Sequence, residues 1–531
     1  MAPRRAPRGF FMGRSKREKQ LNRKGNLHPD GLPRAGARGP ARGDFMVFSA
    51  YPFLLVFLPL TLVGFYALRA AGRRRMSVNF LLAASFVFYG AWSLPHLALL
   101  IASILANYCC GRYVASSAPK ERRRLAMLAG VVGNLGLVFW FKYLDFAGSN
   151  LAALAGADWT FRNIVLPLGI SFFTFQQIAY LVDCYRTRDG ERRFRDYALF
   201  VTFFPQLIAG PIVHHRYARP QFAALASERL NADWIPYGVM IFAMGLAKKT
   251  LIADPIARAI DPLWAAAATG DPLGAAAAWT AMVGYTLQIY FDFSGYCDMA
   301  IGLGLMVGVR LPVNFNSPYR AKSIIDFWRR WHMTLSAFLR DYVYIPLGGN
   351  KGGAFFRLRN IFLTMLIGGV WHGAAWTFVI WGAIHASLIT LNHAGRLWLP
   401  ELDRWRGPVA DAVKRAALLG AVMIAWVYFR ADGVSAAHAV LRGLIAPAAG
   451  YAPDPYVLAL MAFGAALALF APNSLEVAGY VEAPERPIPH ECAHGARMLR
   501  PTPMAAAATA ILLAAGLAVA WRPAVFIYFN F

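Results

Sequence analysis

Charge is what this sequence has least of. Only 15% of its 531 residues are Asp, Glu, Lys or Arg, while 58% are hydrophobic. A soluble domain carries about a quarter charged residues, so most of the chain is not the material of a water-soluble fold. Acids are scarcer still, 28 against 54 Lys and Arg, for a formal net charge of +26. Such an excess can mark a nucleic-acid binder. Here, however, the basic residues sit in short segments between apolar runs, the arrangement of cytoplasmic loops, and no nucleic-acid partner is expected. Cysteine is down to five, at 109, 110, 184, 297 and 492, with neither metal spacing nor a disulfide framework. A serine-centred nucleophile elbow, an H-E-x-x-H pair and a P-loop are all missing. No metal site and no bound cofactor are expected. Nor is there the internal repeat that marks many transporters.

What remains is a series of apolar runs of about 20 residues, which a bilayer accepts only as helices. They fall near 47–68, 78–92, 97–111, 125–146, 163–184, 197–213, 235–254, 275–309, 360–388, 415–430, 456–472 and 505–521. The expected fold class is all-α, a polytopic transmembrane protein of roughly 11 spans with re-entrant or interfacial helices between them. Segments 69–75, 112–124 and 185–195 are basic, whereas 93–96 and 147–162 are not. The positive-inside rule then places the three basic segments in the cytoplasm and Met46 outside. Residues 1–45 hold twelve Lys/Arg against three Asp/Glu, with many Gly and Pro, a composition that cannot form a core. We read 1–45 as a disordered basic extension and 46–531 as the membrane domain. Carrying so basic a tail across a membrane is costly, so translation from Met46 is expected.

Two stretches stand out chemically. Ile367-Gly-Gly-Val-Trp-His-Gly-Ala-Ala-Trp-Thr-Phe-Val-Ile-Trp381 puts one ionisable side chain, His372, into a run apolar enough to enter a bilayer. An ionisable residue there is a functional candidate by default, although a histidine tying two helices together is an equal alternative. Gly368, Gly369 and Gly373 remove side chains around the imidazole, and Trp371, Trp376 and Trp381 supply flat walls. The second stretch is Asn314 to Asn350. Ser323 and Asp326 read as a capping box opening a helix, on which Trp328, His332 and Ser336 share a face and Asp326 pairs with Arg330. Upstream, the run 275–309 is expected to break at Asp292, Ser294, Gly295 and Asp298. Those carboxylates serve either as structural contacts or as a polar wall of a substrate path.

The runs DFWRRWHMTLSAFLRDYVYIPLGGN and GGVWHGAAWTFVIWG resemble the membrane-bound O-acyltransferase (MBOAT) family. So do LPLGISFFTFQQIAYLVDCY at 166–185, FFPQLIAGPI at 203–212, GLAKKTLIAD at 245–254, QIYFDFSGYCDMAIGL at 288–303 and the terminal FIYFNF. The likeness is to the bacterial AlgI-like branch, which is related to the DltB-type D-alanyl transferases. It implies helices around a central cavity, with His372 as the catalytic histidine and His332 as a second active-site histidine. Acyl transfer to a hydroxyl needs a base, worth about 10²–10⁴-fold, and a buried neutral imidazole suits that task. Its oxyanion needs donors, and His332, Asn314 or a Trp N–H are candidates.

Candidate substrate-contacting residues are Trp371, Gly373, Asp292, Ser294, Asn314, Asp326, Arg329 and Arg330. The two arginines are expected to line a cytoplasmic opening above His372 and to attract the phosphates of a donor. The resemblance implies acetyl-CoA or a carrier-bound acyl thioester as co-substrate and an extracytoplasmic polysaccharide as acceptor. It also implies an extracytoplasmic acetyltransferase partner and a multi-pass location in the cell inner membrane. D-alanyl transfer to a cell-wall polymer is the alternative within the family. A transporter with a proton-relay histidine is the alternative outside it.

Overall fold

The computed structural model describes residues 47–162, 164–398, 406–447, 450–480, 502–521, 526 and 527. The extension expected at 1–45, Cys492 and most of the terminal FIYFNF lie outside the described residues. The described residues form helices joined by loops, with no strand among them. Backbone amides and carbonyls in hydrocarbon must be satisfied within their own segment, and a helix does that.

The helices run as α1 (Pro52–Ala70), α2 (Arg74–Gly90), α3 (Leu94–Val114), α4 (Lys120–Leu154), α5 (Ile170–Thr187), α6 (Phe194–Thr202) and α7 (His215–Ser227). They continue as α8 (Trp234–Thr269), α9 (Ala275–Met306), α10 (Ile324–Trp328), α11 (Met333–Leu339), α12 (Ala354–His372), α13 (Trp376–Trp398) and α14 (Pro408–Arg430). The last are α15 (Val434–Gly443), α16 (Pro455–Phe470), α17 (Ser474–Ala478) and α18 (Pro503–Val519). Among the described residues six helices, α1, α3, α4, α8, α12 and α14, are long and apolar enough to cross a membrane, and α16 and α18 are shorter apolar helices.

The centre is α9. Nearly all of its residues from Ala277 to Met306 are buried, and it packs most extensively against α8. The break expected at Asp292 to Asp298 does not occur, because α9 runs unbroken through all four residues. Its carboxylates are kept in the helix by lysines from α8. That helix contains a π-turn at Lys248–Ala253, and the extra residue in such a turn re-aims the side chains it carries. Lys249 Nζ lies 2.7 Å from Asp254 and 2.9 Å from Asp292, and Lys248 Nζ lies 2.6 Å from Asp298. A second π-turn, Phe139–Tyr143 in α4, also carries a lysine, Lys142.

Helices α12 and α13 form a hairpin. At its crossing a Cβ on Gly369 would come within 2.5 Å of the Phe378 carbonyl oxygen and 2.8 Å of Gly382 Cα. Two glycines let the backbones meet, as small residues do in membrane helix pairs.

Candidate active site

The hairpin ends define the site. His372 is the last residue of α12, and Gly373 continues the chain in an extended conformation. The histidine therefore closes a span instead of sitting in its middle, where the sequence had placed it. The residue is 4% exposed and its imidazole is boxed by aromatic rings, with centroids at 4.8 Å for Trp371, 4.9 Å for Trp381 and 5.0 Å for Phe429. The last carbonyls of a helix lack intrahelical partners, and here the π-turn of α4 supplies them. Tyr143 donates its hydroxyl to the Val370 carbonyl at 2.7 Å, and Lys142 Nζ donates to the carbonyls of Trp371 at 2.7 Å and His372 at 2.9 Å. Lys142, Trp371 and His372 form one wall of a small, partly open cavity of about 30 Å³, whose other wall is Leu166 to Phe172 with Ile208.

The glycines read as room for substrate are occupied by protein. A Cβ on Gly373 would run into the Phe378 ring, one on Gly368 would sit 3.1 Å from Leu339, and Gly369 serves the hairpin crossing. What these residues admit is close packing of protein around the end of α12.

His332 lies on the other side of Trp371, with its ring centroid 6.4 Å from that indole and 4.9 Å from Phe293. It is completely buried. The expected helix carrying Trp328, His332 and Ser336 on one face does not form. Half of the capping box forms at its start, with Ser323 Oγ accepting from the Asp326 amide at 3.1 Å while Asp326 accepts from the Lys322 amide at 3.3 Å, and Arg330 Nε reaches Asp326 at 2.8 Å. But α10 stops at Trp328, and His332 takes a left-handed φ of 44° before α11 begins. A non-glycine residue pays on the order of 1–2 kcal/mol for that conformation, and such strain concentrates at functional positions.

The loop that carries Asn314 holds the turn in place. The Met333 amide donates to the Asn314 carbonyl at 3.0 Å. Asn314 Oδ1 accepts from Thr334 Oγ1 at 2.9 Å and from the Thr334 amide at 3.3 Å, and it faces His332 Nδ1 at 3.0 Å. An oxygen already taking two donors acts as acceptor again, so His332 carries its proton on Nδ1 and presents a lone pair on Nε2. Asn314, expected as an oxyanion donor, thus orients a histidine, and its amide nitrogen is spent on Cys297 Sγ at 3.2 Å.

The remaining candidates lie away from the cavity wall. Asp292 is 1% exposed, paired with Lys249, and accepts the Ile527 amide at 2.9 Å. Those contacts hold its carboxylate within the fold. Ser294 is buried in α9. Asp326 and Arg330 satisfy each other, Arg329 is exposed, and neither arginine lines the cavity. Two further cations of this stretch also have local acids, Lys322 with Asp411 at 2.6 Å and Arg340 with Asp341 at 2.8 Å.

Two residues of the site went unread in the sequence. His385, fully buried, accepts the Trp328 indole N–H on Nδ1 at 3.3 Å and packs on Trp381 at 4.7 Å. Lys142 was visible as a lone cation inside the apolar run 125–146, the same signal that singled out His372.

Helices long and apolar enough to cross a membrane here surround histidines buried among indoles beside a cavity, an arrangement that suits acyl transfer within a membrane. The comparisons agree. Residues 173–429 match the family model described as MBOAT, membrane-bound O-acyltransferase family. The chain is 40% identical over 433 residues to the peptidoglycan O-acetyltransferase of Helicobacter pylori, covering 75% of this chain and 80% of that one. It is 42% identical over 402 residues to the probable alginate O-acetylase AlgI of Azotobacter vinelandii, covering 74% and 76%. The teichoic acid D-alanyltransferase of Bacillus subtilis is 31% identical over 262 residues, covering 46% of this chain and 64% of that protein. The chain belongs to the membrane-bound O-acyltransferase family and is a multi-pass O-acyltransferase.

Proposed function

We propose that this enzyme is an O-acetyltransferase that serves an extracytoplasmic polysaccharide. It takes acetyl groups from a thioester made in the cytoplasm, acetyl-CoA or an acyl-carrier thioester, and lies in the cell inner membrane. Acetyl rather than D-alanyl transfer is supported by the two O-acetylating relatives at 40% and 42% identity over about three quarters of this chain, against 31% over 46% for the D-alanyltransferase. An extracytoplasmic acetyltransferase partner completes delivery to an alginate-like or peptidoglycan-like glycan.

The observation that carries the chemistry is His372, an imidazole at a helix end facing a cavity and enclosed by three aromatic rings. It takes the proton of the accepting hydroxyl as that oxygen attacks the thioester carbonyl, and returns it to the leaving thiolate. The Trp and Phe rings exclude water, which would otherwise take the acyl group. Helix lengths support an outward-facing cavity. From Lys120, at the basic end of α4, to Lys142 is about 33 Å of helix at about 1.5 Å per residue, close to the full hydrocarbon thickness of about 30 Å.

Replacing His372 by Ala should abolish polysaccharide O-acetylation in cells while membrane abundance stays near that of the wild type. Acetyl-ester content of the extracted glycan, read beside an immunoblot of the membrane fraction, is the measurement. Full acetylation by the variant would sink the mechanism.

A further inference from the structure

We propose that Lys142 is a catalytic electrophile of this site, its ammonium holding the carbonyl oxygen of the acyl group as that oxygen becomes an oxyanion. The proposal rests on the reading of His372 as the base and adds the group that receives the negative charge.

Three observations lead to it. First, Lys142 and His372 line the same cavity. Second, an ammonium has three donors, and Lys142 directs two of them at the carbonyls of Trp371 and His372, at 2.7 and 2.9 Å. That grip fixes Nζ beside the imidazole's own backbone and leaves one N–H. Third, Lys142 differs from the other deeply placed lysines in what balances its charge. Lys249 lies between Asp254 and Asp292, and Lys248 against Asp298. Lys142 has no carboxylate within ion-pair distance among the described residues. Asp145, the nearest acid in sequence, is occupied by the Trp159 indole and the Arg162 amide, both at 3.1 Å. The negative charge that meets Lys142 is the C-terminal end of the α12 dipole, about half an elementary charge, with the Tyr143 and Trp371 rings 5.9 and 6.0 Å away. A cation under-compensated in a low-dielectric wall favours an anion that forms beside it, and a donor fixed before the reaction needs no reorganisation when that charge appears.

In the transfer step the acceptor hydroxyl oxygen bonds to the thioester carbonyl carbon and its proton passes to the His372 imidazole. The carbonyl π pair moves onto oxygen, and the Lys142 ammonium donates its third N–H to that oxygen. As the C=O bond re-forms, the C–S bond breaks. The sulfur leaves with the bonding pair and takes the proton back from the imidazolium. If Lys142 were only a cap on α12, it would hold the helix end and contribute nothing to this charge.

The test is CoA release from acetyl-CoA by the full-length protein in membrane vesicles, with Lys142→Met, Lys142→Arg and Lys142→Ala beside His372→Ala. Lys142→Met, close in volume and uncharged, should lower kcat by about 10²–10³-fold, the cost of one oxyanion donor. The KM for acetyl-CoA should stay within about threefold, since the interaction exists only in the transition state. Lys142→Arg should fall between Met and wild type. Ethylammonium should restore part of the Lys142→Ala activity saturably and do nothing for His372→Ala. A Lys142→Met kcat within about threefold of wild type overturns the proposal. So does a loss that ethylammonium cannot rescue and that is accompanied by a lower melting temperature, because that is the behaviour of a helix cap. An active His372→Ala sinks the proposed function itself and the Lys142 proposal with it.

Discussion

Lys249 offers a measurement that decides what the carboxylates of α9 are for. Its side chain is 2% exposed and its two partners, Asp254 and Asp292, are 3% and 1% exposed, at 2.7 and 2.9 Å. Lys249→Met keeps the volume and removes the charge, leaving two carboxylates facing each other in a site that excludes water. Breaking a buried ion pair from one side costs about 3–5 kcal/mol, and the like-charge pair left behind places this case at the upper end. An unfolding entropy of about 2.1 cal/mol/K per residue over roughly 480 residues gives about 1 kcal/mol/K, so the expected loss is about 3–5 °C in melting temperature. Asp292→Asn is the contrasting variant. It leaves the Lys249–Asp254 pair intact and keeps an oxygen for the Ile527 amide, so it should cost only about 1–2 kcal/mol. The assay is the apparent melting temperature in detergent, from the monodisperse fraction on size exclusion after stepwise heating. Lys249→Met should melt lowest and Asp292→Asn between it and the wild type. If Asp292 instead formed a polar wall for substrate, Asp292→Asn would raise KM at unchanged melting temperature. A Lys249→Met protein melting within about 1 °C of wild type would refute the ion-pair argument.

Two further predictions use His332 and a loop carboxylate. His332→Ala should lower acetyl transfer by about 10²–10³-fold, whereas His332→Gln, whose amide oxygen can accept in place of Nε2, should keep part of the activity. Asn314→Leu should resemble His332→Ala, and Asn314→Asp, which keeps the acceptor for Nδ1–H, should not. Gln tolerated at 372 and dead at 332 would reverse the two histidines' roles. Glu191, in the loop after α5, is buried, which raises the pKa of a carboxyl. Hydrogen bonds from His215 and from the amides of Arg193 and Arg192 outweigh that and hold it below the ordinary glutamate value. A depressed carboxylate stabilises the fold above its unfolded pKa of about 4.3 and loses that contribution as pH falls through the folded value. Wild type should therefore melt above Glu191→Gln at pH 7, with the gap closing toward pH 4. An equal gap at both pH values would show that the carboxylate charge is not what matters.

Local rules were legible in the sequence, and pairings across the fold were not. The apolar runs foretold helices, Ser323 capped the helix it was expected to cap, and Asp326 met Arg330 four residues on, because each depends on neighbours within one turn. The left-handed turn at His332 depends on Asn314, eighteen residues earlier, and no periodicity within 323–336 contains it. Asp292 and His372 raised the same alarm, an ionisable group in an apolar run, and the alarm cannot say whether the cost is met by a partner or by a ligand. The partner decides. Asp292 and Asp298 find lysines that the π-turn of α8 turns toward them, so their charges are settled within the fold. Lys142 carried the same alarm in plain view, and its π-turn turns it toward helix carbonyls and a cavity, with no acid among the described residues to meet it. Membrane-depth charges in this protein thus sort by what faces them: a carboxylate against a lysine is architecture, and a cation against an open wall beside a histidine is chemistry.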